Sequence, residues 1–270
     1  MIESIDLPYI PERTKQPRKD GVTMVMDKGL SLTEAHAFVE VGAPHTDLLK
    51  LGFGTALVTP KLEEKIKVYQ KAGLKVYFGG TLFEAFIARN KFDEYRKLVD
   101  KYKLSTVEVS DGSIYLDHDE KCEYIHKLAK DYTVLSEVGS KDSGILISPN
   151  RWIKMMKTEI EAGSWKVIAE GRESGTVGIF RPSGHAHTVL VNKIISSVKA
   201  ENIMWEAPKK EQQVWFIKHF GPNVNLGNIA PYEIIAMECL RLGLRGDTFF
   251  DFMPKQMADK ILQKTKTKKQ

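Results

Sequence analysis

Four glutamates stand at the ends of short apolar runs: Glu108 after Thr106-Val107, Glu137 after Val134-Leu135-Ser136, Glu170 after Val167-Ile168-Ala169, and Glu206 after Met204-Trp205. A carboxylate at the mouth of a buried strand is partly desolvated and costly unless it is paired or hydrogen-bonded. Four of them converging repel one another, so these residue types require a divalent metal, several lysines and arginines, or both. Oxygen donors alone point to magnesium before zinc. Cations occupy matching positions at Lys50, Lys141, Arg172 and Lys209, where they can hold an anionic substrate. Gly79-Gly80-Thr81 and Gly227-Asn228 present backbone N–H groups beside helix N-termini, a favourable place for phosphate. A phosphorylated small molecule is the substrate class these residues suggest. For any single glutamate the alternative is a salt-bridge layer with Lys50, Arg172 and Lys209, since ionic networks perturb charges without catalysing anything.

Weaker signals accompany this set. The stretch from Gly171 to His187, GRESGTVGIFRPSGHAH, is longer than an ordinary connection and is either a water-excluding lid or a surface excursion. His185 and His187 lie two apart without a third ligand at a known spacing, which reads as a surface pair. Cys122 and Cys239 are far apart in helix-like surroundings and make neither a disulfide framework nor a zinc site.

The elements that must position these groups alternate regularly. Short apolar runs recur at Val22–Met26, Leu48–Leu51, Lys75–Phe78, Thr106–Val109, Thr133–Ser136, Lys166–Ala169, Ile203–Trp205 and Val224–Leu226, with helix-period stretches between them. Ser31 with Glu34 and Thr81 with Glu84 read as capping boxes, and Pro60, Pro149 and Pro231 as first helical residues. No G-x-G-x-x-G follows the first strand, where Met26-Asp27-Lys28-Gly29-Leu30 stands, so an open dinucleotide-binding sheet is disfavoured. Eight strands, each followed by a helix, predict a single-domain α/β protein, a (β/α)8 TIM barrel. In such a barrel the strand C-termini carry the chemistry, and all the groups named above fall there.

The chain has 270 residues with 42% hydrophobic and 28% charged residues, enough for one large core with a solvated surface. The expected organisation is an N-terminal arm over residues 1–20, a barrel over 21–252 and a basic tail over 253–270. No apolar run is long enough to cross a bilayer, and the first residues lack a signal-peptide core, so the expected location is cytoplasmic, without a membrane partner. The net charge of +5 gathers at the ends, at Arg13, Lys15, Arg18 and Lys19 and again at Lys264, Lys266, Lys268 and Lys269. No aromatic residues interleave with the C-terminal lysines as base stacking would require, so both ends read as solvated and frayed, with no nucleic-acid partner.

Together, DKG (27–29), LGFGTA (51–56), GGTLFE (79–84), VEVSDGS (107–113), EVG (137–139), EGRESG (170–175), WEAPKKEQQVWFI (205–217), VNLGNI (224–229) and LRLGLRGDTF (240–249) resemble the phosphosulfolactate synthase family, in order across nearly the whole barrel. That family is similar in turn to plant heat-stress-associated proteins. The resemblance implies a magnesium-dependent lyase that adds sulfite to phosphoenolpyruvate, giving (2R)-phospho-3-sulfolactate for sulfonate or coenzyme M biosynthesis. It implies an aci-carboxylate stabilised by the metal and protonated by a lysine, Lys141. Glu137, Glu170 and Glu206 would be the metal-side carboxylates, with Asp111 beside them, and Glu137 and Arg172 would share in catalysis. Lys50, Arg172 and Lys209 would bind phosphate, carboxylate and sulfite, and a homo-oligomer, a trimer first, is the implied assembly. The sequence departs from the family pattern at Phe53 (usually Trp), Ala56 (usually Ser) and Ser140 (usually Lys). These departures leave open a barrel enzyme for another phosphorylated enol or carboxylate, or a non-catalytic stress-related relative.

Overall fold

The computed structural model describes residues 6–139 and 147–267. Eight parallel strands are laid down in chain order: β1 (Thr23–Asp27), β2 (Leu48–Leu51), β3 (Lys75–Phe78), β4 (Thr106–Val109), β5 (Thr133–Val138), β6 (Ser164–Ala169), β7 (Ile203–Glu206) and β8 (Leu226–Ile229). Among the described residues ten α-helices accompany them: α1 (Leu32–Gly42), α2 (Leu62–Lys71), α3 (Gly80–Ile87), α4 (Phe92–Lys101), α5 (His118–Leu128), α6 (Pro149–Glu161), α7 (Thr188–Ile195), α8 (Lys210–Phe220), α9 (Ile234–Arg241) and α10 (Lys255–Thr267). The sheet order β3-β2-β1-β8-β7-β6-β5-β4 wraps round so that β3 and β4 come side by side. Among the described residues no ladder joins those two. The seam is bridged at its top, where the Gly80 N–H donates to the Glu108 carboxylate at 2.6 Å. The result is a nearly closed (β/α)8 barrel.

Strand periodicity builds the site. Successive side chains on a strand alternate between the barrel interior and the helix layer. Met24, Leu48, Tyr77, Leu135, Ile168 and Met204 fill one interior layer, separate from the larger core between strands and helices. Two residues further along β2, β5, β6 and β7 stand Lys50, Glu137, Glu170 and Glu206, which therefore share the next layer up, at the open mouth. Hydrophobic burial of the lower layer thus sets the height of the charged one.

Several local expectations need correction. The Ser31/Glu34 capping box forms, but Thr81 and Glu84 make none: the N-cap of α3 is Gly79, two residues earlier, and Glu84 bonds elsewhere. Pro149 does open α6, whereas α2 starts at Leu62, after a left-handed Lys61. Strand β8 begins at Leu226, two residues after the expected start at Val224, so Asn225 precedes it at the closed end of the barrel. There it accepts from the Val22 N–H at 3.0 Å and donates to the Ile203 carbonyl at 2.9 Å. The N-terminal basic segment is more ordered than a frayed terminus, while Lys268 and Lys269 lie outside the described residues. Arg13 pairs with Glu238 at 2.8 Å and Arg18 with Asp47 at 3.1 Å, both nearly enclosed, and the tail contains α10.

Candidate active site

The charged layer opens into a cavity of about 390 Å³ at the C-terminal ends of the strands. Five glutamates line it, Glu108, Glu137, Glu170, Glu173 and Glu206, against two described cations, Lys50 and Arg172. Lys50, from β2, is 5% exposed and sits at the centre of this charge. Its Nζ lies 2.8 Å from Glu108, 3.6 Å from Glu137 and 4.0 Å from Glu206. Burial disfavours the ammonium, but the three carboxylates more than offset that and hold its pKa above the ordinary value. Lys50 is therefore a fixed positive charge.

The glutamates are in different states. Burial, reinforced by Glu137, raises the Glu206 pKa from 4.5 to about 7. One Glu206 oxygen accepts the backbone N–H groups of Gly171 and Arg172, each at 3.0 Å. Arg172 adopts φ 54° there, which turns two successive amides toward a single anion. Glu108 is also raised by burial, although Lys50 opposes this, and its second oxygen has no hydrogen-bond partner among the described residues. Glu170 lies 3.5 Å from the Arg172 guanidinium. The glutamates form an ionic network with Lys50 and Arg172, and that network faces an open cavity.

Other expected residues divide. Asn228 lines the cavity with its side-chain oxygen buried and unpartnered among the described residues. Phe53, Arg172 and Asn228 all line it with left-handed backbone, a costly state for residues other than glycine and one that concentrates at functional sites. Gly79, Gly80 and Gly227 bring backbone close to the site, and the Gly79 N–H is already donated to the Leu51 carbonyl at 2.9 Å. The Gly80 N–H is already donated to Glu108. A Cβ on Gly79 would lie 3.0 Å from the Lys50 Cε, and one on Gly227 would lie 2.8 Å from the Met24 Cε. Lys209 is exposed at the start of α8 and does not line the cavity. Asp111 does not line it either, because its carboxylate is taken from behind by Lys121 at 3.1 Å. Lys141 lies outside the described residues.

The 171–187 stretch is packed rather than loose. Ile179 and Phe180 are buried, and the Gln212 amide of α8 donates to the Gly175 and Gly184 carbonyls at 2.8 and 3.0 Å. His187 accepts from the Leu190 N–H at the start of α7 and His185 bonds Ser183, so this pair is structural. Sequence reasoning also missed Glu84. Its buried carboxylate accepts the Ser110 hydroxyl and the Gly112 and Ser113 N–H groups, fixing the loop after β4 whose Ser110 and Ser113 line the cavity. No spacing signal marks that role. Ser110, by contrast, was legible as the position two after Glu108.

Does this donor set suit magnesium? Among the described residues, no three His, Cys, Asp or Glu side chains are already grouped as ligands. Magnesium keeps several waters and commonly takes only one or two protein carboxylates, so a preassembled cage is not required. Among the described residues hard oxygens predominate, five carboxylates face two cations, and no hydrogen-bond donor reaches a buried oxygen on each of Glu108 and Asn228. The chemistry of the site fits a hard divalent cation.

Fold and site together define a (β/α)8 barrel enzyme with a polar cavity at its catalytic face. The family model described as (2R)-phospho-3-sulfolactate synthase (ComA) matches residues 11–247. A phosphosulfolactate synthase of Bacillus subtilis is 40% identical over 244 residues, covering 89% of this chain and 97% of that protein. The chain belongs to the phosphosulfolactate synthase family. Protein HEAT-STRESS-ASSOCIATED 32 of Arabidopsis thaliana is a more distant relative, 23% identical over 269 residues, with 85% of this chain and 88% of that protein covered. Among solved structures, 3-hexulose-6-phosphate synthase from Salmonella typhimurium shares the fold, with a TM-score of 0.54 at 14% identity over 83% of this chain and all of that one. No helix among the described residues is long and apolar enough to cross a membrane.

Proposed function

We propose that the protein is a magnesium-dependent lyase that joins sulfite to phosphoenolpyruvate to form (2R)-phospho-3-sulfolactate. The observation that carries the reading is the convergence of Lys50, Glu137, Glu170, Arg172 and Glu206 on one open cavity in a chain of this family. Glu137, Glu170 and Glu206 would hold the magnesium ion, which when bound offsets the negative charge that builds on the substrate carboxylate. Lys50 and Arg172 bind and orient the anionic groups, and the exposed Lys209 attracts them at the rim. The sulfite sulfur donates its lone pair to the phosphoenolpyruvate methylene carbon, and the π electrons move onto the carboxylate as an aci-carboxylate. The Lys141 Nζ then delivers a proton to the phosphate-bearing carbon from one face, which sets the configuration. Glu206, whose pKa burial raises to about 7 in the metal-free protein, would give up its proton as the cation binds.

The product would feed sulfonate or coenzyme M biosynthesis in the cytoplasm, and the enzyme would act as a homo-oligomer, a trimer being the state to look for by light scattering. The test of function is incubation of purified protein with phosphoenolpyruvate, sulfite and Mg2+, followed by 31P NMR. Formation of phosphosulfolactate is expected. Phosphoenolpyruvate binding without turnover would instead indicate a barrel enzyme for another enol, a reading that Phe53 in the cavity wall would explain. Neither binding nor turnover would indicate a non-catalytic relative.

A further inference from the structure

Behind the cavity, on its protein side, lies a lysine that the reaction does not touch. Lys121 of α5 is fully buried, and its ammonium has two hydrogen-bond acceptors and a further carboxylate as ion-pair partner. These are the Glu137 backbone carbonyl at 2.6 Å, the Asp111 carboxylate at 3.1 Å and the Glu159 carboxylate of α6 at 2.8 Å. Burial works against the ammonium, but Glu159 and Asp111 outweigh it and raise the pKa, so the charge is permanent. The three contacts tie together the mouth of β5, the loop after β4 and two outer helices. A buried ion pair is seldom more stabilising than a well-packed apolar replacement. The location of this one explains its presence better than stability does: it grips the backbone of the residue whose side chain faces Lys50.

We infer that Lys121 is a positioning residue for the active site, acting through the Glu137 backbone and the Asp111 loop to hold the Glu137 carboxylate at its working place. The inference rests on the function proposed above for its kinetic readout only. Two full-length variants test it. Lys121→Met removes the grip but strands the buried Glu159 charge, and Lys121→Met with Glu159→Leu removes both charges, so folding is retained. In the double variant we expect a melting temperature close to that of the wild type and faster hydrogen exchange at the Glu137 and Val138 amides than elsewhere in the sheet. We also expect kcat to fall on the order of 100-fold with KM within about threefold, since about 1 Å of misplacement costs that much while anion binding by Lys50 and Arg172 persists. A folded double variant with unchanged exchange at Glu137 and Val138, or with kcat within about threefold of the wild type, would show that Lys121 only supports the fold. If the wild type makes no phosphosulfolactate, the functional reading fails, and the exchange measurement still decides the positioning role.

Discussion

Replacing Glu206 by glutamine should make the protein more stable and less active, with a gain that depends on pH. Its side chain is buried, and its pKa stands at about 7 against an ordinary 4.5. The folded protein therefore keeps a proton that the unfolded chain releases between those values, and stability falls as pH rises through that window. At about 1.4 kcal/mol per pH unit the penalty grows to at most about 3 kcal/mol above pH 7. Glutamine cannot ionise but still offers an oxygen to the Gly171 and Arg172 amides that Glu206 now accepts. Urea denaturation in metal-free buffer at pH 5 and pH 8 measures the difference. We expect the variant to resemble the wild type at pH 5 and to exceed it by up to about 3 kcal/mol at pH 8, with turnover lost. Equal effects at both pH values, or a variant less stable at pH 8, would refute the argument that this carboxylate is held in the fold against its own charge.

Other expectations follow from the same network. Lys50→Met leaves Glu108, Glu137 and Glu206 without their shared cation and should cost on the order of 3–5 kcal/mol at pH 8. The loss should shrink at pH 5, where Glu206, whose pKa burial raises to about 7, is protonated; thermal melts at the two pH values check this. Gly178→Ala drives a Cβ into the Glu170 carbonyl oxygen at φ +63°, so on the order of 2 kcal/mol of stability and most of kcat/KM should go. Lys141→Ala should abolish turnover while leaving the circular dichroism spectrum unchanged, and near-normal activity would remove Lys141 from the role of proton donor.

Much of this was readable in the sequence because strand geometry is simple. A residue two places beyond a buried Leu, Ile or Met on a parallel strand must point the same way, so Glu137, Glu170, Glu206 and Lys50 could be brought to one layer by counting. What a side chain does once there depends on neighbours distant in sequence. Asp111 has the right type and place for a ligand, yet Lys121 claims it from behind. Gly80 looks like a phosphate amide, but Glu108 takes its N–H. Glu84 matched a local capping pattern and serves a loop 26 to 29 residues away. Asn225 lay at a strand end whose boundary was two residues off, which moved it to the opposite face. Arg13 and Arg18 looked like a loose basic end because their partners, Glu238 and Asp47, come from distant segments.

In the proposed function Glu137, Glu170 and Glu206 act together as a hard-oxygen site for a divalent cation beside an anionic substrate. Titration calorimetry of Mg2+ into the protein with phosphoenolpyruvate present, in the wild type and in Glu170→Gln, tests it most directly. Saturable Mg2+ binding that weakens at least tenfold in the variant is the expected result. Undiminished binding in Glu170→Gln, or none in the wild type, would contradict the account.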